Sequence, residues 1–240
     1  INPGTDWSRP GSTTGWFTPI GNTIFFDAED GTHGRELWKS DGTLAGTEMV
    51  NDINPGYESS LSMNYYNDIP NFIEVGSTIY FPADDGVNGV EVWKTDGTES
   101  GTSMVSDINS GDCGDYPCGS YPSAFIEFDS KIFFLATDGS TGIELWKSDG
   151  TSAGTELVKD INTAGNSGVS RCNWRINCMA VLGSDLYYLA MADNTGLNYD
   201  VYKTDGTESG TTLLTGSMDS VCGESTSGNG LLVSGSHVYF

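Results

Sequence analysis

The sequence predicts an all-β fold of tandem four-stranded antiparallel sheets, arranged as the blades of a β-propeller. Three observations carry that prediction. First, Trp38-Lys39-Ser40-Asp41-Gly42-Thr43 recurs as Trp93-Lys94-Thr95-Asp96-Gly97-Thr98, as Trp146-Lys147-Ser148-Asp149-Gly150-Thr151 and as Tyr202-Lys203-Thr204-Asp205-Gly206-Thr207. The aromatic positions lie 55, 53 and 56 residues apart (93 − 38, 146 − 93, 202 − 146). Each copy continues x-x-Gly-Thr, to Thr47, Thr102, Thr155 and Thr211. Second, a β-prone apolar run precedes each copy: Thr23–Phe26, Thr78–Phe81, Lys131–Phe134 and Asp185–Tyr188, with a fifth at His237–Phe240. Third, no helical period exceeds a turn, and the 32 glycines are too frequent for helices.

One repeat shows how the strands follow. Asn71–Val75 is β-prone, and Gly76-Ser77 is a two-residue hairpin signal. Thr78–Phe81 is near-continuously apolar, as in a strand buried on both faces. Asp85–Gly89 turns the chain, Val90–Lys94 returns it, Asp96–Gly101 turns it again, and Thr102–Ser106 closes the unit. The strands are named A to D. A lone sheet of this kind cannot bury two apolar faces, whereas stacked neighbours can. Four strands in about 53 residues match a propeller blade; the alternative is an open array of the same sheets. The repeats run approximately over 17–71, 72–124, 125–178 and 179–230, with a partial fifth at 231–240. Both ends fall within a repeat, so the expectation is a segment of a longer array.

Strand direction sorts the loops into two ends. The A–B and C–D turns share a short, near-uniform end. The B–C turns and the long D–A connectors, such as 54–71 and 109–124, share the other, and loops of that length commonly carry function.

The runs Glu36–Thr43 and Glu144–Thr151 resemble the ELWxxDGT repeat family. Glu91-Val92-Trp93 differs by one conservative change, and Asp200-Val201-Tyr202 differs at all three positions. The resemblance covers roughly 21–216. It implies a secreted or surface protein of propeller-like architecture, and it implies no reaction and no ligand.

Lys and Arg total 10 against 33 Asp and Glu, a formal net charge of −23. Such a surface repels phosphate backbones and anionic lipid, which argues against nucleic acid and membranes as partners. No apolar run reaches the roughly 20 residues needed to span a bilayer. The five cysteines lie in connectors, and the pairs Cys113/Cys118 and Cys172/Cys178 are close enough in sequence for local disulfides in an oxidising compartment. A loop that short, once closed, contributes roughly 2 kcal/mol. Cys222 is left over. A four-thiolate zinc site is the weaker alternative, because the spacings are wide and the pairs sit in different repeats.

Trp38, Trp93, Trp146 and Tyr202 are expected to pack between sheets, each ring burying about 150–250 Å². Asp41, Asp96, Asp149 and Asp205 are expected to brace their own C–D turns, with the following Thr bonding back. Asp30, Asp85, Asp138 and Asp193 mark the B–C turns. Calcium takes six to eight oxygens, and Asp84, Asp85 and Asn88 form the best cluster for it, with Asp30 and Asp138 at equivalent turns. No other cofactor is expected. The two histidines, His33 and His237, sit in no nucleophile or metalloprotease motif. The expected function is a non-catalytic structural or adhesive module of an extracellular surface protein, sheath or filament, partnered by itself or by surface glycans and proteins. The rival is a glycan-binding or hydrolytic propeller using the connector face, with Tyr65, Tyr66, Tyr116, Tyr121 and Trp174 as contacts.

Overall fold

The computed structural model describes residues 17–61, 72–111, 113–114, 116–163, 178–190, 198–219 and 230–239. Among the described residues every regular element is a strand. The chain divides into two compact units, 1–120 and 121–240.

The first unit holds two sheets. The first sheet contains β1 (Phe17–Ile20), β2 (Thr23–Glu29), β3 (Arg35–Ser40) and β4 (Glu48–Asn51). The second contains β5 (Ile73–Val75), β6 (Thr78–Asp84), β7 (Val90–Thr95) and β8 (Ser103–Ser106). The second unit holds a third sheet of β9 (Ser123–Phe128), β10 (Lys131–Thr137), β11 (Ile143–Ser148) and β12 (Glu156–Lys159). Its fourth sheet contains β13 (Met179–Leu182), β14 (Asp185–Ala190), β15 (Asn198–Thr204) and β16 (Thr212–Asp219). A two-stranded ribbon, β17 (Leu232–Ser234) and β18 (His237–Tyr239), follows. In all four sheets the strands neighbour each other in chain order and pair antiparallel. This is the four-stranded meander of a propeller blade, as the repeat predicts.

Strand B is apolar on both faces because both are covered. Phe25 joins a core cluster with Leu37, Ile79 and Phe81, which belong to the first and second sheets. Its neighbour Phe26 points the other way and packs with Trp38. In the second unit Phe133, Leu135 and Leu145 of the third sheet meet Leu186, Tyr188, Leu189 and Tyr202 of the fourth. Neighbouring sheets thus supply each other's core within each unit, and Trp93 and Tyr202 pack at those seams as expected.

Strand D carries a feature that the sequence pattern hides. Leu37 pairs with Asn51 but Trp38 with Met49, so Val50 is an extra residue. The same bulge inserts Val105 and Val158. A bulge turns two successive side chains out of strict alternation. It lets each valine reach the core, where all three are at most 5% exposed.

The A–B turns differ in one sheet. Gly21, Gly76 and Gly183 open theirs at φ of 58°, 66° and 64°. Gly at the first central position is the mark of a type II′ hairpin turn. The third sheet instead has Asp129 and Ser130 at φ of 52° and 58°, the pattern of a type I′ turn made without glycine.

Candidate functional site

The Ser/Thr-Asp-Gly-Thr-x-x-Gly-Thr run is one interlocked turn. Asp41 Oδ1 accepts bonds from the Thr43 amide (2.9 Å) and the Thr43 hydroxyl (2.7 Å). Thr43 Oγ1 in turn accepts from the Gly46 amide at 3.0 Å. Thr47 Oγ1 donates to the Thr43 carbonyl at 2.7 Å and pairs with Ser40 Oγ at 2.7 Å. Ser40 Oγ accepts from the Gly42 amide. The same bonds recur around Asp96, Asp149 and Asp205. The second glycine of the motif is required by contact: a Cβ on Gly46 would lie 2.1 Å from Asp41 Oδ1, and Gly101, Gly154 and Gly210 are placed alike. The threonine hydroxyl and amide hold all four aspartates below the usual carboxylate range. These aspartates brace the turn, as the sequence reading expects.

The motif also links one repeat to the next. Lys39 Nζ donates to the Gly97 carbonyl at 2.7 Å, and Lys147 Nζ to the Gly206 carbonyl at 2.6 Å. A Cβ on Gly97 would stand 3.3 Å from Phe25, and one on Gly206 would stand 3.0 Å from Phe133. The lysine and the strand B phenylalanine of one sheet therefore close over the turn of the next.

At the opposite end sits a feature that the sequence reading did not single out. Glu36, Glu91 and Glu144, the first letter of each Glu-Leu/Val-Trp run, are fully buried on strand C. Glu36 accepts from the Ile53 amide (3.1 Å), the Ser60 amide (3.0 Å) and the Ser60 hydroxyl (2.5 Å). Glu91 accepts from the amides of Ile108, Asn109 and Ser120 and from the Ser120 hydroxyl. One carboxyl thus ties the D–A connector to its own sheet in two consecutive repeats. Burial pushes both carboxyls up to about 7, against the pull of these donors. Ser60 and Leu61 extend the tie through backbone bonds, Asp84 N–H to the Ser60 carbonyl and Leu61 N–H to the Arg35 carbonyl. The connector is stitched to both sheets of the first unit. The signal for this was the recurrence of a charged residue inside an apolar strand.

The calcium candidates take up a different role. Asp30 Oδ1 accepts from the Thr32 and His33 amides, Asp85 Oδ1 from those of Val87 and Asn88, and Asp138 Oδ1 from those of Ser140 and Thr141. Asn88 Nδ2 donates to Asp85 Oδ2, and Asp84 accepts from the Gly86 amide. For Asp30, Asp85 and Asp138 burial acts upward, but these bonds together hold each below the usual carboxylate range. Asp84 is raised by burial. Among the described residues no group of three His, Cys, Asp or Glu side chains is placed to hold a metal ion. Asp30, Asp85 and Asp138 each cap their own B–C turn. Asp193 lies outside the described residues.

Cys113 and Cys118 form the expected disulfide. Cys178 is also disulfide-bonded, while Cys172 and Cys222 lie outside the described residues. Of the aromatic contacts proposed for the connector face, Tyr116 is exposed and Tyr121 partly so; Tyr65, Tyr66 and Trp174 lie outside the described residues. A cleft of about 530 Å³ opens instead at the A–B turn end of the second unit, lined by Glu127, Phe128, Asp129, Val181, Ser184 and Asp205.

One buried pair breaks the repeat. Asp27 on β2 is 2% exposed and bonded to Arg35 Nη1. Asp27 Oδ1 is buried without a hydrogen-bond partner. The third sheet has Leu135 and Ile143 at the same places.

No family model matches the chain, and no curated protein matches it. Solved structures do. TolB from Acinetobacter baumannii is similar at 11% identity and a TM-score of 0.42, over 88% of this chain and 44% of that one. A puromycin hydrolase is similar at 16% identity and a TM-score of 0.49, over 84% of this chain and 28% of its own. Prolyl oligopeptidase B from Galerina marginata is similar at 10% identity and a TM-score of 0.44, over 83% and 26%. This chain therefore spans less than half the length of each. No residue role passes from them to this chain.

Proposed function

We propose that this chain is a rigid, non-catalytic repeat module of an exported surface protein, its sheets stacking as propeller blades and its connector end serving adhesion. The observation that supports this best is the repeated glutamate tie. Glu36 and Glu91 use their carboxyls to fasten the long connectors, so the loops that would carry a mobile catalytic site are fixed to the scaffold. The lysine bonds from Lys39 and Lys147 to the next turn favour the same reading, because they join repeats end to end. The Cys113–Cys118 disulfide fits an oxidising compartment outside the cytosol.

The test uses the whole purified chain. It is screened against peptide, ester and glycoside substrates, and its assembly is followed by light scattering and electron microscopy. The expected result is no turnover, with binding to surface material or self-association. A monodisperse monomer that turns over one substrate class would overturn the proposal.

A further inference from the structure

The connector end of the first unit carries exposed apolar side chains on a fixed frame. Tyr57 is 81% exposed, Val87 74% and Tyr116 78%. They come from three separate segments, two connectors and one B–C turn, which close contacts join at one end of the unit. The Tyr57 and Glu58 backbone presses on Gly34, where an added Cβ would lie 2.1 Å from the Glu58 carbonyl oxygen. Asn54 lies against Gly86, beside Val87, where an added Cβ would stand 2.7 Å from its side-chain oxygen. The Cys118 carbonyl lies against Gly89, where an added Cβ would stand 2.5 Å from its oxygen, and Cys118 is joined to Cys113 across the loop that carries Tyr116.

The two connectors among them are each held by a buried carboxyl. Glu36 holds the stretch from Ile53 to Ser60, and Glu91 holds that from Ile108 to Ser120. Large aromatic rings on a preorganised frame lose little entropy on binding, which is why tyrosine is favoured in contact surfaces. The charge of the surroundings selects the partner. Glu58 follows Tyr57 and is exposed. Asp84 and Asp85 precede Val87 in the same turn, and Asp85 is held in the charged form by its turn amides. Among the described residues at this end, Arg35 is bonded to Asp27 and His33 to Asp30. Tyrosine faces attract ammonium and guanidinium groups, and neighbouring carboxylates strengthen that attraction.

We propose that this surface, centred on Tyr57, Val87 and Tyr116, docks a lysine- or arginine-rich segment of a partner protein. The inference rests on the adhesive reading and names the partner class for it. Each tyrosine takes a cationic side chain on its face, Val87 supplies the apolar contact between them, and Glu58 and Asp85 supply the field.

The experiment uses the full chain and a fluorescent 12-residue peptide of alternating lysine and glycine, read by polarisation. A glutamate–glycine peptide of equal length and a neutral β-glucan oligosaccharide serve as comparators. The lysine peptide should bind, the glutamate peptide should not, and binding should weaken as salt rises. The Tyr57→Ala/Tyr116→Ala pair should weaken binding about tenfold, from roughly 0.5–1 kcal/mol per exposed cation–π contact. The Tyr57→Phe/Tyr116→Phe pair should retain it. Leu44→Ala, at an exposed site in a C–D turn, should change nothing.

Lysine-peptide binding that ignores loss of both rings overturns the proposal, since charge alone then suffices. Preference for the oligosaccharide overturns it in favour of a glycan surface. Failure to bind while the chain still assembles or adheres overturns this inference alone. Turnover of a substrate overturns the proposed function as well.

Discussion

The seam between the first and second sheets and the seam between the third and fourth are built from one motif, yet their centres differ. Both share the strand B phenylalanine, Phe25 or Phe133, set over the next turn glycine, and the strand C lysine bonded to its carbonyl. Toward the B–C turn end of the first sheet's inner face lie Asp27 and Arg35, an ion pair whose carboxylate is buried. At the same places in the third lie Leu135, fully buried, and Ile143. The comparison separates what the repeat requires from what one copy tolerates. The turn geometry is fixed by backbone amides that must be satisfied. The seam needs only a filled volume, which an aliphatic pair provides and which an ion pair also provides even with one Asp27 oxygen left without a hydrogen bond.

The strongest way to break the comparison is to remove half of the ion pair. Arg35→Met strands the Asp27 carboxylate in the seam and should cost about 3–5 kcal/mol in urea unfolding. Converting the first seam to the pattern of the third, with Asp27→Leu and Arg35→Ile together, should leave stability unchanged or raise it by about 1–4 kcal/mol. A double variant as weak as the single would show that the pair is integral to its seam.

Proton linkage separates the glutamate tie from the rest. The Glu36 and Glu91 carboxyls titrate from a usual value of 4.5 up to about 7 when folded, because burial disfavours their charge. Between those values the folded chain holds more protons than the unfolded one. Stability should therefore fall as pH rises from about 4.5 to about 7, and level off above. Melting temperatures across that range for Glu36→Gln/Glu91→Gln should show a smaller slope. An unchanged slope would place the titration elsewhere.

The shared turn should respond alike in both units. Gly46→Ala and Gly210→Ala each force a Cβ onto an aspartate carboxylate and should each cost roughly 1–3 kcal/mol. A large difference between them would mean that the turns are not equivalent in energy.

Two smaller effects belong to the second unit. The Tyr188 hydroxyl is buried without a hydrogen-bond partner, where the other sheets have Phe26, Phe81 and Phe134. Tyr188→Phe should stabilise by about 1 kcal/mol. Ser130→Gly should stabilise by roughly 0.5–1 kcal/mol, since relief of about 1–2 kcal/mol of left-handed strain in the A–B turn exceeds the added chain entropy of glycine. Calorimetry of each variant checks both signs.

Much of this was legible in the residues. The four sheets, their strand order and the role of the turn aspartates all follow from short-range pattern, because hairpins and side-chain-to-backbone bonds join residues two to seven apart. The connector end was less legible. Glu36 was visible as a recurring letter, but its donors lie 17 and 24 residues away. Those of Glu91 lie up to 29 residues away. No local period encodes such a distance. The calcium expectation at Asp30, Asp84, Asp85, Asn88 and Asp138 arose for the complementary reason: an acidic turn reads the same whether its carboxylates face a cation or cap their own amides.

The sequence by itself determined the repeat, the four-strand unit and the interlocked turn, since each rests on backbone demands met within a few residues. Only the tertiary structure decided that the Glu-Leu-Trp glutamate is a buried fastening, that Lys39 and Lys147 reach the next repeat, and that the connectors of the first unit lie against its B–C turns. Those are contacts between segments, and burial and distance come into being only when the sheets stack.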